Sequence, residues 1–134
     1  MKRSLFVLMM VILLTGVMFN TGCKKADDYN LTGSWEITIT DAGEFNSEMR
    51  LVFAGEKDSG YISNIDDSNA RGQYSASWSD IAITLYSNVE GSPIYYLSGT
   101  ITNNAEMSGT ITIRQVLESE EQVLTEGQWT AGRF

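Results

Sequence analysis

The chain has 134 residues, a formal charge of −8, one cysteine and no histidine, which leaves room for one compact domain of about 110 residues once a leader is set aside. Lacking histidine and a second cysteine, it cannot build His/Cys metal sites, Ser-His or Cys-His nucleophile systems, or an intrachain disulfide. Lys2 and Arg3 fall in the leader, so the rest carries about −10; no nucleic-acid partner is expected, because affinity for phosphate backbones rests on clustered Lys and Arg.

Met1-Lys2-Arg3-Ser4 is a short basic start, and Leu5 to Phe19 is an apolar run broken only at Thr15 and Gly16. A membrane-crossing helix needs about 20 apolar residues and a signal-peptide core about 7 to 15. The run has the shorter length, so residues 1–22 are expected to be a cleaved N-terminal signal helix. Asn20-Thr21-Gly22-Cys23 resembles the lipobox of bacterial lipoproteins, in which an apolar residue, a small residue and Gly or Ala precede an invariant Cys. The last three places match; Asn20 stands where Leu is usual. The resemblance implies a diacylglycerol on the sulfur of Cys23, cleavage before it, and a further acyl chain such as palmitate on the new amine. Two or more chains anchor a protein stably to a membrane. Lys24 stands where inner-membrane retention signals favour Asp, so the expected address is the outer membrane of a Gram-negative cell envelope. Residues 23–30 read as the lipidated Cys and a polar tether.

From Leu31 to Phe134 the chain alternates apolar and polar residues with a period of two and shows almost no helical spacing. Trp35, Ile37 and Ile39 share one face of a strand, as do Met49, Leu51 and Phe53, then Ile81, Ile83 and Leu85, then Met107, Gly109, Ile111 and Ile113. Between the runs lie turn residues: Ala42-Gly43-Glu44, Gly55-Glu56-Lys57-Asp58, Asp66-Asp67-Ser68-Asn69, Glu90-Gly91-Ser92-Pro93 and Asn103-Asn104. The runs predict about eight strands, at 34–41, 48–54, 59–65, 71–78, 80–87, 94–102, 106–117 and 122–134. Links this short favour an all-β antiparallel up-and-down meander, and eight such strands remove their edges by closing into a barrel. A β-sandwich satisfies the same periodicity. Ser98-Gly99-Thr100-Ile101-Thr102 recurs as Ser108-Gly109-Thr110-Ile111-Thr112 around the Asn103-Asn104 turn. That repeat sets glycines on facing strands, where they admit a bulky neighbour or a sharp bend.

Leu31-Thr32-Gly33-Ser34-Trp35 opens the first strand and Gln128-Trp129-Thr130-Ala131-Gly132-Arg133 nearly closes the chain. Together they resemble the Gly-x-Trp opening and late basic residue of lipocalin-like (calycin) barrels. The resemblance implies that Gly33 and Trp35 form the opening motif, that Trp35 plugs one end of the barrel, and that Arg133 lies against its indole. It covers the two ends of residues 31–134 and speaks for fold more than for activity.

Tyr61, Tyr74, Trp78 and Tyr95 fall in the middle strands and are the candidate ligand-lining residues, since aromatics with polar tips suit apolar ligands bearing a few polar groups. The competing reading is that they fill the barrel. Tyr95 is chosen over its neighbour Tyr96 because it is in phase with Leu97, Gly99 and Ile101. Asp66, Asp67 and Asn69 share a loop but miss the EF-hand spacing, and read as turn residues. Glu118, Glu120 and Glu121 read as a solvated turn. No metal, no cofactor and no catalytic residue is expected. The expectation is therefore a non-enzymatic envelope barrel bound to the membrane through Cys23, whose partner is a small apolar ligand or another envelope protein. A filled structural or interaction module is the alternative, and an envelope enzyme using carboxylates the third reading.

Overall fold

The computed structural model describes residues 29–134, so the expected signal helix, Cys23 and most of the tether lie outside the described residues. Eight strands follow one another: β1 (Gly33–Thr40), β2 (Ser47–Gly55), β3 (Ser59–Asn64), β4 (Ala70–Ser77), β5 (Asp80–Ser87), β6 (Ile94–Asn103), β7 (Glu106–Leu117) and β8 (Glu120–Arg133). Each pairs antiparallel with the next, and β8 returns to β1 from Trp35↔Arg133 to Thr40↔Gln128, closing the barrel. The sandwich alternative is thereby excluded, and each strand lies within two residues of its expected bounds.

Alternation sorts the side chains. Trp35, Ile37, Ile39, Leu51, Phe53, Ile62, Tyr74, Ile83, Leu97, Ile111, Ile113 and Trp129 are buried inside, while Glu36, Arg50, Gln73, Thr84, Ser98 and Thr110 take the intervening outward register. A barrel that spans a membrane shows the reverse polarity, with its apolar band outside. The interior is dry: among the described residues no polar side chain is buried apart from the tips of tryptophan and tyrosine.

The repeated pentapeptide forms facing segments of β6 and β7, with Gly99↔Gly109 and Ser98↔Thr110 in register. A Cβ on either glycine would collide with the facing strand's backbone, Gly99 with the Ser108 carbonyl and Gly109 with that of Ser98. Trp129 is the register partner of Gly109 on β8. Its Nε1 donates to the carbonyls of Thr110, 3.0 Å away, and Ser98, 3.2 Å away. The bare glycine backbones thus admit the bulky neighbour that the repeat predicts.

The two ends differ. The first end gathers the start of β1, the β2–β3, β4–β5 and β6–β7 turns and the end of β8; the second gathers the β1–β2, β3–β4, β5–β6 and β7–β8 connections. β7 and β8 run on past their neighbours at the second end. The last β6 partner is Arg114 and the last β1 partner Gln128, so the hairpin tip stands clear of the barrel. Glu118 and Ser119 both take left-handed backbone, φ 53° and 69°, which makes a two-residue hairpin turn without the usual Asn-Gly. Glu120 and Glu121 consequently belong to β8 rather than to a longer turn. Their charges and that of Glu126 blunt an otherwise open strand edge.

Candidate functional site

The first end is sealed from inside the sequence. Tyr29 and Leu31, just ahead of β1, are buried, and the Leu31 amide donates to the Lys57 carbonyl at 2.9 Å. Tyr29 and Asn30, assigned to the tether by polarity, are thus packed onto the barrel. Trp35 is fully buried beneath this strap and donates Nε1 to the Leu31 carbonyl at 2.8 Å.

Arg133 lies over Trp35 with its guanidinium carbon 4.2 Å from the ring centroid. It donates to the carbonyls of Asn104 at 2.6 Å, Thr32 at 2.8 Å, and Asn30. One planar cation therefore ties β8, the β6–β7 turn and the strap together, a task suited to the five-donor fork of arginine. Partial burial lowers its pKa from the usual value. Gly33 makes room for it: its φ is +121°, and a Cβ there would meet Arg133 Nη1 at 3.0 Å.

The four candidate ligand-lining aromatics separate. Tyr74 is buried, stacked on Phe53 at 4.7 Å between centroids, and its hydroxyl donates to the Glu56 carbonyl at 2.5 Å. It belongs to the filled lower barrel. Tyr61 and Trp78 are 72 % and 55 % exposed, so they face away from the interior. Tyr61 is in the outward phase of β3, whose inward phase is Ile62, and Trp78 sits on the β4–β5 turn. Tyr95 alone lines a pocket.

Burial raises the pKa of Tyr74 above the ordinary tyrosine value, and the charges of Asp58 and Glu56 push the same way. A raised phenol pKa contributes stability below the unfolded value near pH 10 and loses it as the pH rises through the folded pKa. Tyr74→Phe should thus cost about 1 kcal/mol at pH 7 through the lost hydrogen bond. It should also flatten the alkaline fall in stability, as urea unfolding between pH 7 and 11 will show.

The pocket lies at the second, open end and has a volume of about 230 Å³. Its apolar walls are Met49, Leu51, Ile62, Leu85 and Tyr95, and its polar margin includes Asn64, Asp67, Arg71, Ser87 and Ser92. Ala70 and Ser87 face each other across β4 and β5, and their small side chains leave the space. Burial raises the pKa of Tyr95, keeping its phenol neutral. Arg71 donates to the carbonyls of Ser68 and Ala70 at 2.7 and 2.9 Å, bracing the loop at the rim. In that loop Asp66 is held by Arg50 at 2.5 Å, which lowers its pKa, and Asp67 Oδ1 accepts from the Asn69 amide at 3.0 Å. Its carboxylates thus serve the turn.

Of the four candidate aromatics only Tyr95 is in the pocket wall, and the sequence did not point to the rest of the lining. The available signal was small inward residues, Ala70 and Ser87, at strand ends that otherwise carry bulky ones. The fold and site define a small closed eight-stranded antiparallel barrel, compatible with a lipocalin-like barrel, with one end plugged and a shallow pocket at the other. No family model matches the chain, and neither a curated protein nor a solved structure matches it.

Proposed function

We propose that this protein is a lipid-anchored, non-enzymatic envelope barrel that binds a small, mostly apolar ligand at its open end. The pocket lined by β2 to β6 is the observation that carries the ligand; the Gly22-Cys23 junction after a short apolar leader carries the anchor, and Lys24 the outer-membrane address. Size limits the ligand. A cavity of about 150 Å³ holds one benzene ring, so about 230 Å³ suits roughly ten non-hydrogen atoms. That excludes a whole phospholipid and favours a single ring or short chain with a polar group directed at the Asn64, Ser87 and Ser92 margin.

Titration with indole and with hexanoate, followed by NMR, tests this. The expected result is shifts at the Met49 methyl, Leu85 and Tyr95, weakened at least about tenfold, or 1.4 kcal/mol, by Ser87→Phe in a still-folded barrel. Binding that shifts none of these residues, or that survives Ser87→Phe, would remove the ligand reading.

One observation favours the interaction-module reading. Ile65, Val89, Val116, Leu117, Val123 and Leu124 are exposed, and all lie around the open end. Aliphatic side chains exposed at one end, four of them on the protruding β7–β8 hairpin, suit a protein surface.

A further inference from the structure

The exposed apolar residues divide by kind as well as by place. All the aliphatic ones surround the open end, whereas the aromatic ones, Tyr61, Trp78 and Phe134, lie toward the closed end: near the start of β3, on the β4–β5 turn, and after β8. Since β4–β5 and β8–β1 lie across the barrel from each other, Trp78 and Phe134 flank the plug on opposite sides.

The closed end is also where the chain arrives. Residues 29–32 are locked there by the Leu31–Lys57 hydrogen bond and by Arg133. Cys23 is six residues before Tyr29, and six residues reach at most about 20 Å in any conformation. A membrane holding Cys23 therefore faces the plugged end. Tyrosine and tryptophan are the side chains that suit the headgroup layer, with an apolar ring and a polar tip.

Trp78 adds a separate observation. It has φ +59° at the first position of the two-residue turn between Ser77 and Asp80, where glycine is the ordinary choice. A bulky aromatic more than half exposed in left-handed backbone is a local strain at the tip of a turn, and such outliers point to function.

We propose that the closed end is a bilayer-facing surface, with Trp78, Tyr61 and Phe134 seated in the headgroup region of the membrane that holds Cys23. This rests on the acylation of Cys23 proposed above. It turns the pocket mouth toward water, so that the ligand enters from the aqueous compartment. Glu56, Asp58, Asp80 and Glu106 outnumber Lys57 and Arg133 at the same end, so the matching surface is zwitterionic rather than anionic.

Tryptophan fluorescence tests the proposal directly, because Trp35 and Trp129 are buried and Trp78 is the exposed one of the three. The full-length protein, processed by its host and purified from membranes, is reconstituted into phosphatidylcholine vesicles with brominated acyl chains, and the mass of its N-terminus is measured. The W78F variant supplies the background, and V89W in that background places a reporter at the open end. The expected result is that acrylamide quenches the open-end reporter several-fold more than Trp78, and that the brominated lipid does the opposite. An acylated protein in which acrylamide reaches both reporters equally would overturn the orientation; an unmodified Cys23 would instead overturn the anchor on which it rests.

Discussion

Trp35→Ala should destabilise the barrel by about 4 kcal/mol, the ordinary cost of deleting a fully buried tryptophan from a core. For a domain of this size that lowers Tm by roughly 20 °C, which thermal unfolding followed by circular dichroism will measure. The loss reaches beyond the cavity itself for a structural reason. The indole closes the plugged end of the interior, donates to the Leu31 carbonyl and is the platform under Arg133. Arg133→Ala should cost about 2 kcal/mol, combining the cation–π contact with the three hydrogen bonds it removes. Arg133→Lys should restore less than half of that, because a lysine ammonium cannot fork to three separated carbonyls while lying flat on a ring. In the Trp35→Ala background Arg133→Ala should cost distinctly less, since the two side chains act as one plug.

Gly109→Ala should cost more than about 3 kcal/mol, the reverse of what strand propensity predicts. In an ordinary strand, replacing glycine by alanine helps, because glycine loses more backbone freedom on folding. Here a methyl group on Gly109 would meet the backbone of Ser98 and Gly99 on the facing strand. Either the β6–β7 ladder must open, or the local bend must relax and withdraw the Ser98 and Thr110 carbonyls from Trp129. Denaturant unfolding gives the cost. A blue-to-red shift of tryptophan emission in the folded variant would show that Trp129 has been released. Gly91→Ala is the comparison: its φ is +82°, but nothing lies within 4 Å of a Cβ there, so only the smaller backbone penalty is expected.

The closed end was legible because two short motifs carry it, Gly33-Ser34-Trp35 and the late Arg133, and their contact follows from closing the barrel. The candidate pocket was much less legible. Tyr61, Tyr74, Trp78 and Tyr95 look alike in sequence, yet they separate into an outer face, a filled core, a turn tip and a pocket wall. A shift of one residue moves a side chain from inside to outside, and a shift along the barrel axis moves it from packed core to open mouth. The place of Tyr29 and Asn30 was hidden for a similar reason. A polar stretch with no periodicity resembles a tether until the hydrogen bond from Arg133 to the Asn30 carbonyl and the burial of Tyr29 are seen.

By itself, the sequence determined the strand alternation, the meander order and the facing glycines, while the contact of Trp35 with Arg133 was what the resemblance to lipocalin-like barrels implied. The first three depend on local periodicity, short turns and residue identity, all of which act between near neighbours in the chain. Only the tertiary structure decided that the barrel closes rather than splitting into a sandwich, that its lower part is filled while a pocket of about 230 Å³ remains at the other end, and that the exposed aromatics gather at the plugged end. Those properties depend on how far each inward side chain lies along the barrel axis and on which small residues meet across strands. Strand register sets both, and no single strand carries that information.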